Sequence, residues 1–215
     1  MKLTTKKITV IAMLSAMAMI VSMLFYIPIV PAVSFLKYEA KDVLVTICGF
    51  IYGPAAALLS SSITAVLEMF LRGGNIIDVI MDIVSTGAYA CLAAFFYKKY
   101  HTKKGALGGL LAGSVVMVVL MIVWNYIVTP IYYQMPREAV VAMMIPGFIP
   151  FNVIKAALNT VFIMILYKQV VRILRGTSLL EKSDKATTIS KGYILLIIFL
   201  LVTIGLVLMS FKGMI

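Results

Sequence analysis

Long apolar runs follow one another down this chain with only short polar breaks between them, and that succession limits the fold more than any other feature. A helix needs about 20 apolar residues to cross the hydrocarbon of a bilayer. Candidate spans fall at 8–27, 41–53, 54–71, 78–98, 105–133, 145–170 and 189–211. The second is short and meets the third at Gly53 and Pro54. Alternation of apolar and polar residues at period two, the mark of a membrane β-barrel, is missing. The expectation is an all-α integral membrane protein: a bundle of six helices over 1–175, a linker at 176–188 and a seventh transmembrane helix within 189–215. Composition agrees, with 63% hydrophobic and 13% charged residues, where soluble domains carry roughly half and a quarter.

A net charge of +11 raises the question of nucleic acid, and the placement of the charge answers it. Lys2, Lys6 and Lys7 precede the first span, Lys98, Lys99, Lys103 and Lys104 lie in "KKYHTKK", and Lys168, Arg172, Arg175, Lys182, Lys185 and Lys191 lie between the last two spans. These are 13 of the 19 basic residues, all on alternate breaks. That is the positive-inside bias, which puts the N-terminus in the cytoplasm and accounts for the charge without nucleic acid. The remaining breaks, "PIVPAVSFLKYEAKD", "RGGNIID" and "YYQMPREA", have mixed charge and are expected outside. The first span follows "KLTTKK" like a secretory signal, but its run is long and "YIPIVP" is a poor cleavage site, so it reads as a retained helix.

Residues for catalysis are scarce. His101 stands in a lysine-rich break, and the chain has no H-E-x-x-H, G-x-S-x-G or P-loop motif. Cys48 and Cys91 lie inside apolar spans without metal-ligand spacing, which suits packing. Neither enzyme nor ATPase is expected, and no cofactor or metal. Asp78 and Asp82, four residues apart, read as the acidic start of a helix, where the macrodipole favours negative charge. Glu68 and Arg72 read as an intrahelical ion pair.

The exception to this apolar pattern is "FNVIKAALN", 151–159. Amide and ionisable side chains at membrane depth are costly unless they meet a partner or a wet cavity. Asn152, Lys155 and Asn159 share one stripe of a helix opened by Pro150. On the preceding span Asn125 and Thr129 are four apart, flanked by Trp124, Tyr126, Tyr132 and Tyr133. Asn159 is expected to brace the bundle. Lys155 has no evident carboxylate partner in the sequence, so with Asn152 it is expected to line an outward-facing pocket.

Four blocks carry a family resemblance: "FLKYEAKDVLVTICGFIYGP", "DIVSTGAYACLAAFFYKKYHTKKGALGGLLAG", "WNYIVTPIYY" and "REAVVAMMIPGFIPFNVIKAALNTVFIMILYK", which span nearly all of 8–170. In this order they resemble the riboflavin-binding S components of energy-coupling factor (ECF) vitamin transporters. The resemblance implies six helices holding one vitamin near the outer side under the loop after the first helix, with 28–42 as its gate. It implies flavin contacts from Asn125, Asn152 and Lys155, and docking of the small-residue face at Ala12 and Ala16 on a transmembrane coupling subunit that works with two ABC-type ATPases. The chain departs from the pattern in its seventh apolar segment and in Asp82, where the resemblance calls for an amide.

Riboflavin suits these residues chemically. It is uncharged near neutral pH, with a flat tricycle, carbonyls beside a ring N–H, and a polyhydroxyl tail. Amides donate and accept together, and an ammonium offers three donors. Trp124, Tyr126, Phe148 and Phe151 are candidates for packing on the ring. Two alternatives stay open: an S component for another vitamin, and a stand-alone carrier that couples ions through Asp78, Asp82 or Glu68.

Overall fold

The structure, a computed structural model, describes residues 4–176. The expected seventh helix, 189–215, and the linker beyond Gly176 lie outside the described residues. Helix α1 (Thr5–Leu24) leads into a small antiparallel hairpin, β1 (Tyr26–Ile27) with β2 (Tyr38–Glu39), whose tip holds a 3-10 turn at Pro31–Val33. Helices α2 (Lys41–Tyr52), α3 (Pro54–Arg72), α4 (Ile76–Tyr100) and α5 (Lys103–Tyr133) follow. A short α6 (Arg137–Ala142) runs through a π-helical turn (Met144–Phe148) into α7 (Ile149–Gly176). Among the described residues five segments are long and apolar enough to span: α1, α3, α4, α5 and Met144–Leu174.

Helix ends are set by local chemistry. Asn75 accepts hydrogen bonds from the Ile77 and Asp78 amides while Asp78 accepts from the Asn75 amide, a reciprocal capping box that starts α4. Thr102 caps α5 by accepting from the Gly105 amide. Gly53, at φ +94°, turns the chain between α2 and α3, and Pro54 follows at the first helical position. Close approach of α4 and α5 rests on Gly109 and Gly113; a Cβ at Gly113 would come within 2.6 Å of the Tyr89 carbonyl oxygen.

Helix α2 decides where the site lies. At 12 residues and about 1.5 Å of rise each it is too short to cross a bilayer, which corrects the candidate span at 41–53. It stands inside the bundle against α1, α3, α4 and α7, and every residue from Lys41 to Phe50 is buried. Its N-terminus therefore carries Lys41 and Asp42 into the interior, beneath the hairpin. The main apolar core, including Leu14, Ile47, Tyr89, Leu110 and Ile163, fills the bundle around α2. A second cluster of Val30, Val33, Val140, Phe148, Phe151 and Ile154 joins the hairpin tip to α6 and α7. The hairpin and α6 were not anticipated from the sequence.

Candidate functional site

At the hairpin end of the bundle lies a cavity of about 280 Å³, close to the smallest size usual for small-molecule sites. Phe35, Leu36 and Lys37 of the hairpin border it above, α3 supplies Glu68, Met69 and Arg72, α4 supplies Met81 and Asp82, α5 supplies Met121, Asn125 and Tyr133, and α7 supplies Phe151, Asn152 and Lys155.

Of the residues singled out from the sequence, Asn125, Asn152, Lys155 and Phe151 meet on this wall. Neither amide braces another helix. The Asn125 NH₂ group donates to the Met121 carbonyl at 2.6 Å and its oxygen accepts from the Thr129 hydroxyl at 3.0 Å. The Asn152 NH₂ group donates to the Phe148 carbonyl at 2.8 Å. Each is thereby oriented by its own helix. Asn159 is fully buried and satisfied by protein: it accepts from the Tyr38 hydroxyl at 3.1 Å and donates to Asp42 at 3.2 Å.

One expectation, the unpartnered Lys155, needs correction, and four other candidates lie off this wall. Lys155 does have a carboxylate: its ammonium lies 3.0 Å from Asp42. Two helices, α2 and α7, must meet before that pair exists, so neighbouring sequence gives no sign of it. Tyr126 is missing from the cavity wall; it is 43% exposed and lies beneath the Arg137 guanidinium, 5.0 Å from the ring centre. Phe148 is fully buried in the second cluster, edge-on to Phe35 at 6.1 Å, so it supports the wall from behind. Trp124 and Thr129 border a separate recess of about 30 Å³ between α4 and α5, which shares Asn125, Phe35 and Tyr133 with the main cavity.

An ion-pair network on the same wall went unforeseen. The buried Lys41 ammonium contacts Glu39 at 2.7 Å, Asp82 at 3.1 Å, and Glu68. Arg72 contacts Glu39 at 2.7 Å and Glu68, so the expected Glu68 and Arg72 pair is one edge of a larger net. Asp82 also accepts from Thr86, which donates in turn to Asp42 at 2.8 Å. Burial alone would push the Glu39 carboxyl up; the adjacent Lys41 ammonium outweighs it and holds that carboxyl near 2. Only the i, i+4 spacing of Glu68 and Arg72 was visible in advance. Among the described residues no cluster of His, Cys, Asp and Glu could hold a metal ion.

Residues 6–167 match the family model for the substrate-specific component of ECF transporters. The chain belongs to this family. Riboflavin transporter FmnP of Bacillus subtilis is 30% identical over 173 residues, which cover 75% of this chain and 90% of that protein. Riboflavin transporter RibU of Staphylococcus aureus is 25% identical over 177 residues, covering 79% of this chain and 93% of that one. Among solved structures, the S component of a bacterial ECF transporter superposes with a TM-score of 0.67 at 26% identity, over 79% of this chain and 98% of that chain. As an S component this chain is an all-helical, multi-pass membrane protein, in agreement with the sequence reading.

Proposed function

We propose that this S component captures riboflavin in the cavity beneath the hairpin and delivers it for import. The observation that carries the reading is the convergence of Asn125, Asn152 and Lys155 with Phe151, Tyr133 and Phe35 around one cavity. Aromatic and methionine side chains offer the tricycle apolar contact, and the amides answer its carbonyls and ring N–H. Relatives named as riboflavin transporters support the same ligand.

Charge balance favours an uncharged guest. Lys41 and Arg72 are matched by Glu39, Glu68 and Asp82, and Lys155 by Asp42. Lys37 sits 4.6 Å from the Tyr26 ring centre. An anionic vitamin would find only Lys37 on this wall without breaking an ion pair. The same pairing argues against a stand-alone ion-coupled carrier: Glu68 and Asp82 are engaged with cations, and Asp78 caps α4 and accepts from the Tyr132 hydroxyl at 3.0 Å.

The described carboxylates Glu39, Asp42, Glu68, Asp78, Asp82 and Glu138 all lie in the hairpin half, and Lys6, Lys7, Lys98, Lys99, Lys103, Lys104, Lys168 and Arg172 at the opposite end. By the positive-inside bias the lysine-rich end and the N-terminus are cytoplasmic and the cavity opens outward. Ala12 and Ala16 are exposed on α1, which leaves a small-residue face for a transmembrane coupling subunit; two ABC-type ATPases then supply the energy, and riboflavin is cargo, with no bound cofactor needed. Titration of riboflavin with purified protein tests the ligand. Quenching of flavin fluorescence at low micromolar concentration is expected, and a competition panel of thiamine, biotin, folate and pantothenate without displacement; no quenching overturns the assignment.

A further inference from the structure

The hairpin over the cavity is held in two chemically different ways. At its base the Arg72 guanidinium donates to Glu39 on β2 at 2.7 Å, and to the backbone oxygen and hydroxyl of Ser22 on α1 at 2.8 and 3.0 Å. It also lies 3.9 Å from the centre of the Tyr26 ring on β1. One side chain thus clamps both strands and the end of α1. At its tip the contacts are apolar: Val30 and Val33 are fully buried against α6, the π-helical turn and α7.

Gly147, in the π-helical turn, is what lets the tip come so close. A Cβ built there would lie 2.5 Å from one methyl of Val33, nearer than any carbon pair tolerates. The Gly147 and Phe148 amides both donate to the Met143 carbonyl, at 2.9 and 3.1 Å, so the widened turn presents bare backbone to Val33. Charge-assisted bonds to a guanidinium are stronger than contacts in a small apolar seat, and the two anchors lie at opposite ends of the lid.

Taking the cavity as the riboflavin site, we propose that Gly147 is the seat of the gate: residues 28–37 open by lifting Val33 off Gly147, while the base stays clamped by Arg72. Gly147 and Val33 are then positioning residues that set the residence time of the ligand without touching it. Phe35 and Leu36, which border the cavity, move with the tip, so unseating Val33 uncovers the ligand.

A disulfide tests this directly. The Val33 Cβ lies 3.6 Å from the position a Cβ would take at residue 147, inside the range that disulfides span. The full chain carrying Val33→Cys and Gly147→Cys is compared with the parent, which keeps Cys48 and Cys91, under oxidising and reducing conditions. Oxidation before riboflavin is added should slow association more than about tenfold, and oxidation afterwards should slow dissociation by as much, with dithiothreitol reversing both. Gly147→Ala alone should speed dissociation, and Val33→Ala added to it should restore slower release by emptying the space that the new methyl needs. Exchange of riboflavin at the same rate in the cross-linked and reduced forms overturns the proposal, as does a pair that fails to oxidise or a double alanine variant no slower than Gly147→Ala. A parent protein that binds no riboflavin overturns the ligand reading instead, while ready disulfide formation still reports that the tip seats at Gly147.

Discussion

Replacing Lys155 by methionine should destabilise the bundle by about 3 kcal/mol, and adding Asp42→Asn should return most of the loss. The ammonium and carboxylate are 3.0 Å apart, with side-chain exposures of 11% and 2%. At that distance, and an effective dielectric of about 20, their attraction is about 5.5 kcal/mol before desolvation is subtracted. Methionine keeps the apolar stem and escapes the cost of burying an ammonium, which offsets part of the loss. Asp42 still accepts from Thr86 at 2.8 Å and Asn159 at 3.2 Å, but a buried carboxylate without a counter-charge costs about 3 to 5 kcal/mol. Retention of these two donors places the loss at the lower end. Asparagine at position 42 removes the charge and keeps an acceptor for Thr86. Thermal unfolding in detergent without ligand reads the effect: a lower Tm for Lys155→Met, recovered in Lys155→Met/Asp42→Asn. A single variant as stable as the parent, or a double variant no better than the single, refutes the reasoning. Riboflavin titration of the recovered double variant then isolates what Lys155 does for the ligand, and binding should remain weakened.

Other substitutions probe the cavity and its frame. Asn125→Ala and Asn152→Ala should each weaken riboflavin binding by about 1 to 3 kcal/mol, the cost of stranding a buried polar partner, whereas Tyr126→Leu should leave affinity unchanged in the same titration. Arg72→Met should free the base of the hairpin, seen as faster amide exchange over residues 26–39; unchanged exchange would remove the clamp. Gly113→Ala should cost about 1 to 3 kcal/mol in detergent unfolding, because its methyl would meet the Tyr89 carbonyl oxygen. Riboflavin phosphate should compete more weakly than riboflavin, since carboxylates already engage Lys41, Arg72 and Lys155 and leave a phosphate only Lys37 on the cavity wall.

The long helices were legible because each is a local pattern, an apolar run set off by polar breaks such as "RGGNIID" and "KKYHTKK". Helix α2 was legible too, from the break at Gly53 and Pro54. The hairpin was hidden because its strands are two residues each, too short for any period, and because its tip is held by Val33 against Gly147 from a distant part of the chain. The stripe of Asn152, Lys155 and Asn159 could be read at helical spacing and does divide into cavity and brace. The ion pairs could not: Lys41 meets Glu68 and Asp82 only after α2, α3 and α4 assemble. An apparently lone lysine therefore looked free for a ligand when folding had already provided it with Asp42. Tyr126 lies off this wall because successive helical residues stand about 100° apart, so with Asn125 turned inward its neighbour faces away.

Riboflavin titration of the purified chain beside Asn125→Ala/Asn152→Ala is the most direct test of the cavity as the ligand site. Saturable quenching of one flavin per chain is expected from the parent, with affinity reduced at least about tenfold in a double variant that still unfolds cooperatively above the assay temperature. Equal affinity in both proteins, or no quenching by the parent, would contradict the account.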